Sequence, residues 1–117
     1  MATPSKKFKL RGDQIKPIAI GYGACIATDF ITVRGMKVGF MYRVEPRNEI
    51  DSGWCFSAGN EPREFMDDPD NHSIYDVNTI ANYDPDIVPL LDEPVGAAFE
   101  RDPFTGEFVA VDFEPED

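Results

Sequence analysis

Lys37-Val38-Gly39-Phe40-Met41-Tyr42-Arg43 and, a short way on, Gly53-Trp54-Cys55-Phe56-Ser57-Ala58 are the two runs whose reading decides the fold. In the first, Val38, Phe40 and Tyr42 alternate with Lys37, Gly39, Met41 and Arg43. In the second, Trp54, Phe56 and Ala58 share one face. A period of two is the mark of a β-strand, whose successive side chains point to opposite faces. Between the runs lies Glu45-Pro46-Arg47-Asn48-Glu49, polar and turn-forming, so the two strands are expected to make a hairpin with a long connection. Arg43 closes one strand and Asp51 opens the next, and a structural pair Arg43–Asp51 is expected to fix the loop. The plainer alternative is two solvated rim charges that contribute little.

Working outward from the hairpin, Ile18 to Val33 reads as extended, with Ala24, Ile26 and Thr28 on one side and Cys25 and Ala27 on the other. Residues 1–17 form an N-terminal arm in which Phe8 to Leu10 could pair as an edge strand. Beyond the hairpin, Asn60 as cap and Pro62 in the first turn announce a short helix through Met66, which stops before Asp67-Asp68-Pro69. Ile74 to Val77 reads as a brief strand, with Asn78 or Thr79 capping a turn of helix after it. Asp84-Pro85-Asp86 reads as another cap with a first-turn proline. Phe108 to Phe113 is a last strand with Val109, Val111 and Phe113 on one face, before an acidic tail over 114–117. Ten prolines and nine glycines keep every element short. The expected fold class is α+β: an antiparallel sheet of about five strands with a few short helices, mostly in the second half, making one domain over 18–113.

Composition narrows the function. No apolar run approaches the roughly 20 residues of a membrane helix. The basic residues Lys6, Lys7, Lys9 and Arg11 are not followed by the apolar run of an export signal, so a cytoplasmic location is expected. The two cysteines, Cys25 and Cys55, are far apart in sequence and are expected to stay free thiols there. The net charge of -11 is unevenly placed. Residues 1–59 carry nine Lys/Arg against five Asp/Glu, a balance of +4; residues 60–117 carry two against seventeen, a balance of -15. Such a half-molecule repels nucleic acid and anionic membranes and attracts basic surfaces.

Sites for chemistry are hard to build from these residues. One histidine and two separated cysteines do not make a sulfur–nitrogen zinc site. Asp67-Asp68-Pro69-Asp70-Asn71 has the oxygen density of a calcium loop, but His72 and Ser73 stand where that loop needs a ligand and its turn glycine. Cys25 or Cys55 with His72 is a nucleophile and base on paper only, since both thiols fall in strands where they act as small hydrophobes. No catalytic residue, metal or cofactor is therefore assigned. The concentration of carboxylates instead suggests a contact surface made of Glu61, Glu64, Asp67, Asp68, Asp70, Asp84 and Asp86, with Trp54 as an apolar anchor or, if buried, a core residue.

The middle of the chain resembles the bacterial immunity protein 33 family. The resemblance lies in Lys37 to Arg43, in Asn48-Glu49-Ile50-Asp51-Ser52-Gly53-Trp54, in Ile74-Tyr75-Asp76-Val77-Asn78-Thr79-Ile80-Ala81-Asn82-Tyr83-Asp84-Pro85-Asp86-Ile87 with Pro89-Leu90-Leu91-Asp92, and in Gly96-Ala97-Ala98-Phe99-Glu100-Arg101. What it implies is a cytoplasmic antidote, not an enzyme, that binds and neutralises a cognate toxin domain in a polymorphic toxin system. The family carries no motif of catalytic residues. Two alternatives stand beside it: a solitary regulatory or structural domain, and a small carboxylate-based hydrolase, which a deep pocket with converging Asp, His72 and Arg43 would favour. Exposed edges at Phe8–Leu10 or Phe108–Phe113 offer a route to a dimer by strand pairing.

Overall fold

The two runs pair as expected. In the computed structural model, which describes residues 7–114, β2 (Phe40–Arg43) and β3 (Asp51–Ser57) are antiparallel, with Met41 opposite Phe56 and Arg43 opposite Trp54. They lie at the centre of a six-stranded sheet of order β4-β1-β3-β2-β5-β6, where β1 is Ala24–Thr28, β4 is His72–Asp76, β5 is Ala98–Arg101 and β6 is Phe108–Ala110. The sheet is mixed: β1 runs parallel to β3, and the other neighbours are antiparallel. The extra strand and the parallel pair amend the expectation of about five antiparallel strands.

The short helices are α1 (Asp29–Thr32), α2 (Arg63–Asp67) and α3 (Val77–Tyr83), with 3₁₀ turns at Gly12–Gln14, Pro69–Asn71 and Pro85–Leu90. The extended reading of 18–33 fails at Asp29. The β-branched run Ile31-Thr32-Val33 looks like strand, but α1 buries Ile31 in the core, pairs the Thr32 hydroxyl with that of Tyr75 and lays Phe30 on Phe65 of α2, and tertiary burial overrides propensity. The arm also differs. Residues 7–17 hold no strand; Lys9 N–H donates to the Thr32 carbonyl, and Phe8 packs edge-on against Tyr75 at 5.9 Å. The first six residues of the arm and Pro115–Asp117 of the tail lie outside the described residues.

Register assigns the two faces of the sheet. Cys25 and Ala27 of β1, Met41 of β2, Trp54 and Phe56 of β3 and Phe99 of β5 point to one side, onto Ile31, Val77, Ile80, Ala81, Ile87 and Leu91, and make the core. Trp54 is fully buried, stacks on Phe56 at 6.1 Å and donates its indole N–H to the Leu91 carbonyl at 3.2 Å. The opposite face of the sheet carries Ile26, Phe40, Tyr42, Cys55, His72 and Ile74. Cys25 and Cys55 therefore sit on adjacent strands but on opposite faces, both buried and both free.

Gly53 permits the entry into β3. Its φ is 86°, and a Cβ there would lie 2.0 Å from the Val44 carbonyl oxygen, so both the backbone angle and the space demand glycine. Beside it, Ser52 donates its hydroxyl to the Ala24 carbonyl at 2.6 Å and accepts from the Trp54 N–H at 3.1 Å, which locks β1 to β3 where their register shifts.

Candidate interaction surface

The strings with the most specific residue order turn out to build the fold. In 76–86, Asp76 caps α3 by accepting from the Asn78 N–H at 2.8 Å, in place of the expected Asn78 or Thr79. Asn78 and Asn82, one turn apart, reach back to the arm. The Asn78 side-chain oxygen accepts from the N–H groups of Ile18 and Ala19, and both amides donate to the Lys16 carbonyl. Tyr83 accepts from the Leu10 N–H and donates to the Thr32 carbonyl, pinning the arm onto α1. Asp84 caps the next 3₁₀ turn through the Asp86 N–H, as expected from Asp84-Pro85.

Asp84 has a second task. It is buried, with 1% of its side chain exposed, and its Oδ2 takes the Val38 N–H at 3.0 Å and Arg101 Nη2 at 2.5 Å. Arg101 also donates to the carbonyls of Val38 and Gly106 and to Asp86, and its guanidinium lies 4.3 Å from the centre of the Phe108 ring. One cation thus ties the approach to β2, β5, the 3₁₀ turn and the turn after β5. In the sequence Arg101 is one of two basic residues in the acidic half and closes the Gly96–Arg101 segment of the resemblance, with no role assigned. The missing signal was register, which places Arg101 at the end of β5 facing the covered side.

The expected pair Arg43–Asp51 does not form. Arg43 lies opposite Trp54 on the covered side, 5.7 Å from its ring, and donates to the Ser52 and Glu93 carbonyls. Asp51 points the other way and is held by Arg47, whose N–H and Nη1 reach Oδ2 at 2.9 and 3.2 Å, while Gly53 N–H reaches Oδ1. Partial burial pulls the Asp51 carboxyl up, but the N–H groups of Arg47 and Gly53 and the Arg47 charge outweigh it, so its pKa falls below the usual value. Loop residue Arg47 does what Arg43 was expected to do, because the alternation of β2 turns Arg43 away.

Of the proposed contact residues, the structure separates internal from external. Trp54 and Asp84 are buried. Glu61 faces inward: its carboxylate accepts from Thr28 Oγ1 and from the N–H groups of Ala58 and Gly59, and it ties the ends of β1 and β3 together. Asn60 does not cap α2; Pro62 stands at that position with no side-chain bond. Asp86 is half exposed, shared between Arg101 and, at 3.9 Å, Lys37. Glu64, Asp67, Asp68 and Asp70 are exposed and adjacent on α2 and the 3₁₀ turn after it, where Asp68 caps the turn through the Asp70 N–H. Among the described residues no group of three or more His, Cys, Asp or Glu is placed to hold a metal ion. His72 donates from Nε2 to the Met66 carbonyl at 2.7 Å on the face opposite Arg43, so the two do not converge.

The profile of the Immunity protein Imm33 domain covers residues 25–112. The chain belongs to the Imm33 immunity protein family. Searches of curated proteins and of solved structures returned no match. The Imm33 match begins at Cys25 in β1 and runs past the end of β6, so it takes in every strand but the first residue of β1. The arm that Asn78, Asn82 and Tyr83 hold lies outside it, although the residues that hold the arm lie within it. Among the described residues no helix is long and apolar enough to cross a membrane.

Proposed function

We propose that this Imm33 protein is an antidote that binds a cognate bacterial toxin domain in the cytoplasm and blocks it by occupancy, without catalysis and without a cofactor. Membership of the family over residues 25–112 carries the reading. The charge distribution gives it a physical form. The exposed carboxylates Glu64, Asp67, Asp68 and Asp70 make an acidic ridge within the half of the chain whose balance is -15. A toxin that acts on nucleic acid needs a basic cleft, and an acidic ridge competes with phosphate for it while speeding encounter. The same ridge disfavours nucleic acid and anionic membranes as partners of the antidote itself.

The test is co-expression with candidate toxin domains from the same genome. Growth restored by this chain, together with a stoichiometric complex whose association slows steeply as salt rises, supports the reading. Growth arrest unrelieved by the chain, with no complex at low salt, overturns it in favour of a solitary regulatory domain.

A further inference from the structure

We infer that the face of the sheet turned away from the core, and not the acidic ridge alone, is the docking surface for a protein partner that presents an apolar side chain flanked by Lys or Arg. The inference rests on the antidote reading for the identity of that partner, but not for the surface itself.

The face is shaped and apolar. A cavity of about 390 Å³ opens on it, floored by Ile26 and Cys55 and walled by Tyr42, Met66 and Phe113. Phe113 lies across Phe40 and Tyr42 at 4.9 and 4.7 Å, forming one side of the opening while 40% exposed itself. A second, smaller cavity of about 90 Å³ shares Ile26 and Arg47 with the first and ends on Ile50 and Ile74. Ile50 and Ile74 are 72% and 74% exposed, and sit close together although they come from the β2–β3 connection and from an edge strand. Large apolar side chains gathered this way, beside a cavity, are what a binding surface shows and what scattered exposure does not.

Charge selects the occupant. The cation that reaches both cavities, Arg47, is already neutralised by Asp51. Asp67, beside Met66, is likewise paired with Arg63 at 3.9 Å. The other exposed charges around the apolar ground are carboxylates: Glu49 beside Ile50, Asp76 on the Ile74 strand, Glu100 opposite Phe40 and Glu114 beside Phe113. An apolar centre with an anionic rim fits a basic protein surface with one projecting apolar residue. An acidic or purely polar surface would leave the rim unpaired and the cavity unfilled.

Two probes test this on the full chain. The first is the peptide acetyl-Lys-Lys-Trp-Lys-Lys-amide, followed by amide chemical shifts. Shifts centred on Ile26, Tyr42, Cys55 and Ile74 are expected, with affinity about tenfold weaker or worse in the double variant Ile50→Arg/Ile74→Arg. Phe104→Arg, at a residue 96% exposed on the turn after β5, is expected to bind as the parent does. The amide spectrum of each variant reports its folding. Shifts spread elsewhere, or none, overturn the surface. The second probe is the purified toxin domain used above. Equal binding by the parent and the double variant overturns the surface and leaves the antidote reading standing. No binding by the parent, with the peptide mapped to this face, removes the antidote reading and leaves the surface standing.

Discussion

The two faces of one sheet divide the labour. The covered face holds Met41, Trp54, Phe56 and Phe99 against α1, α3 and the 3₁₀ turn, closed at one end by the buried Asp84–Arg101 pair. The bare face has as many large side chains, but Ile74 on it is mostly exposed and its cavities are open to solvent. In the two strings that carry the resemblance, the residues with structural tasks serve the covered face or its clamps: Gly53 and Trp54 in one, and Asn78, Asn82, Tyr83 and Asp84 in the other. Specific sequence therefore marks what holds the domain together. The proposed partner surface is marked by composition and exposure instead.

Breaking the covered face should cost the most. Trp54→Ala removes the largest core side chain together with its bond to the Leu91 carbonyl, and about 3–5 kcal/mol of stability should go with it, read by urea denaturation. Arg101→Met should come close behind. It leaves the Asp84 carboxylate buried without its cation, and removing one partner of such a pair costs about 3–5 kcal/mol. Trp54, the chain's one tryptophan, reports that transition by fluorescence. A loss under about 1 kcal/mol would show that Asp86 and the backbone donors suffice to hold the Asp84 corner together.

Alkali sharpens the comparison, because it strikes groups on both sides of the sheet. Burial pushes the Cys25 thiol up, with the neighbouring Cys55 adding to it, and burial also raises Cys55. Tyr42 is pushed up to about 12, by burial first and then by Cys55. A raised pKa means that the unfolded chain gives up its proton first. The stability these groups contribute is complete below pH 9.0, the ordinary thiol value, and is lost as pH rises towards about 12. The urea midpoint should fall steadily over that window, and a flat midpoint would mean the thiols are open to water. The smallest effect is expected on the bare face, where Ile50→Arg/Ile74→Arg should move stability by no more than about 0.5 kcal/mol per site.

The hairpin, the α+β class, the Asp84-Pro85 cap and the start of the last strand, which ends at Ala110 and not at Phe113, were legible because each rests on local pattern: a period of two, a cap followed by proline, a turn before an alternating run. The parallel β1–β3 pair was not, since nothing local distinguishes a strand that crosses over from one that turns back. Nor was α1, a single turn of helix written in β-branched residues. The contact surface was half legible. Counting carboxylates found the ridge of Glu64, Asp67, Asp68 and Asp70, but it could not tell them from Glu61 and Asp84, which are folded inward by hydrogen bonds to partners 33 and 46 positions away in the chain. The bare face was hidden for the same reason. Ile26, Tyr42, Cys55 and Ile74 come from four strands and share a surface only once register is known.

The measurement that bears most directly on the account is the affinity of a toxin domain that the chain neutralises for three forms of the full chain: the parent, Ile50→Arg/Ile74→Arg and Phe104→Arg. The account predicts that the parent and Phe104→Arg bind alike while the bare-face double variant, equally stable, binds about tenfold more weakly or worse. Indistinguishable affinities across all three would contradict it, and would leave the acidic ridge on α2 to make the contact by itself.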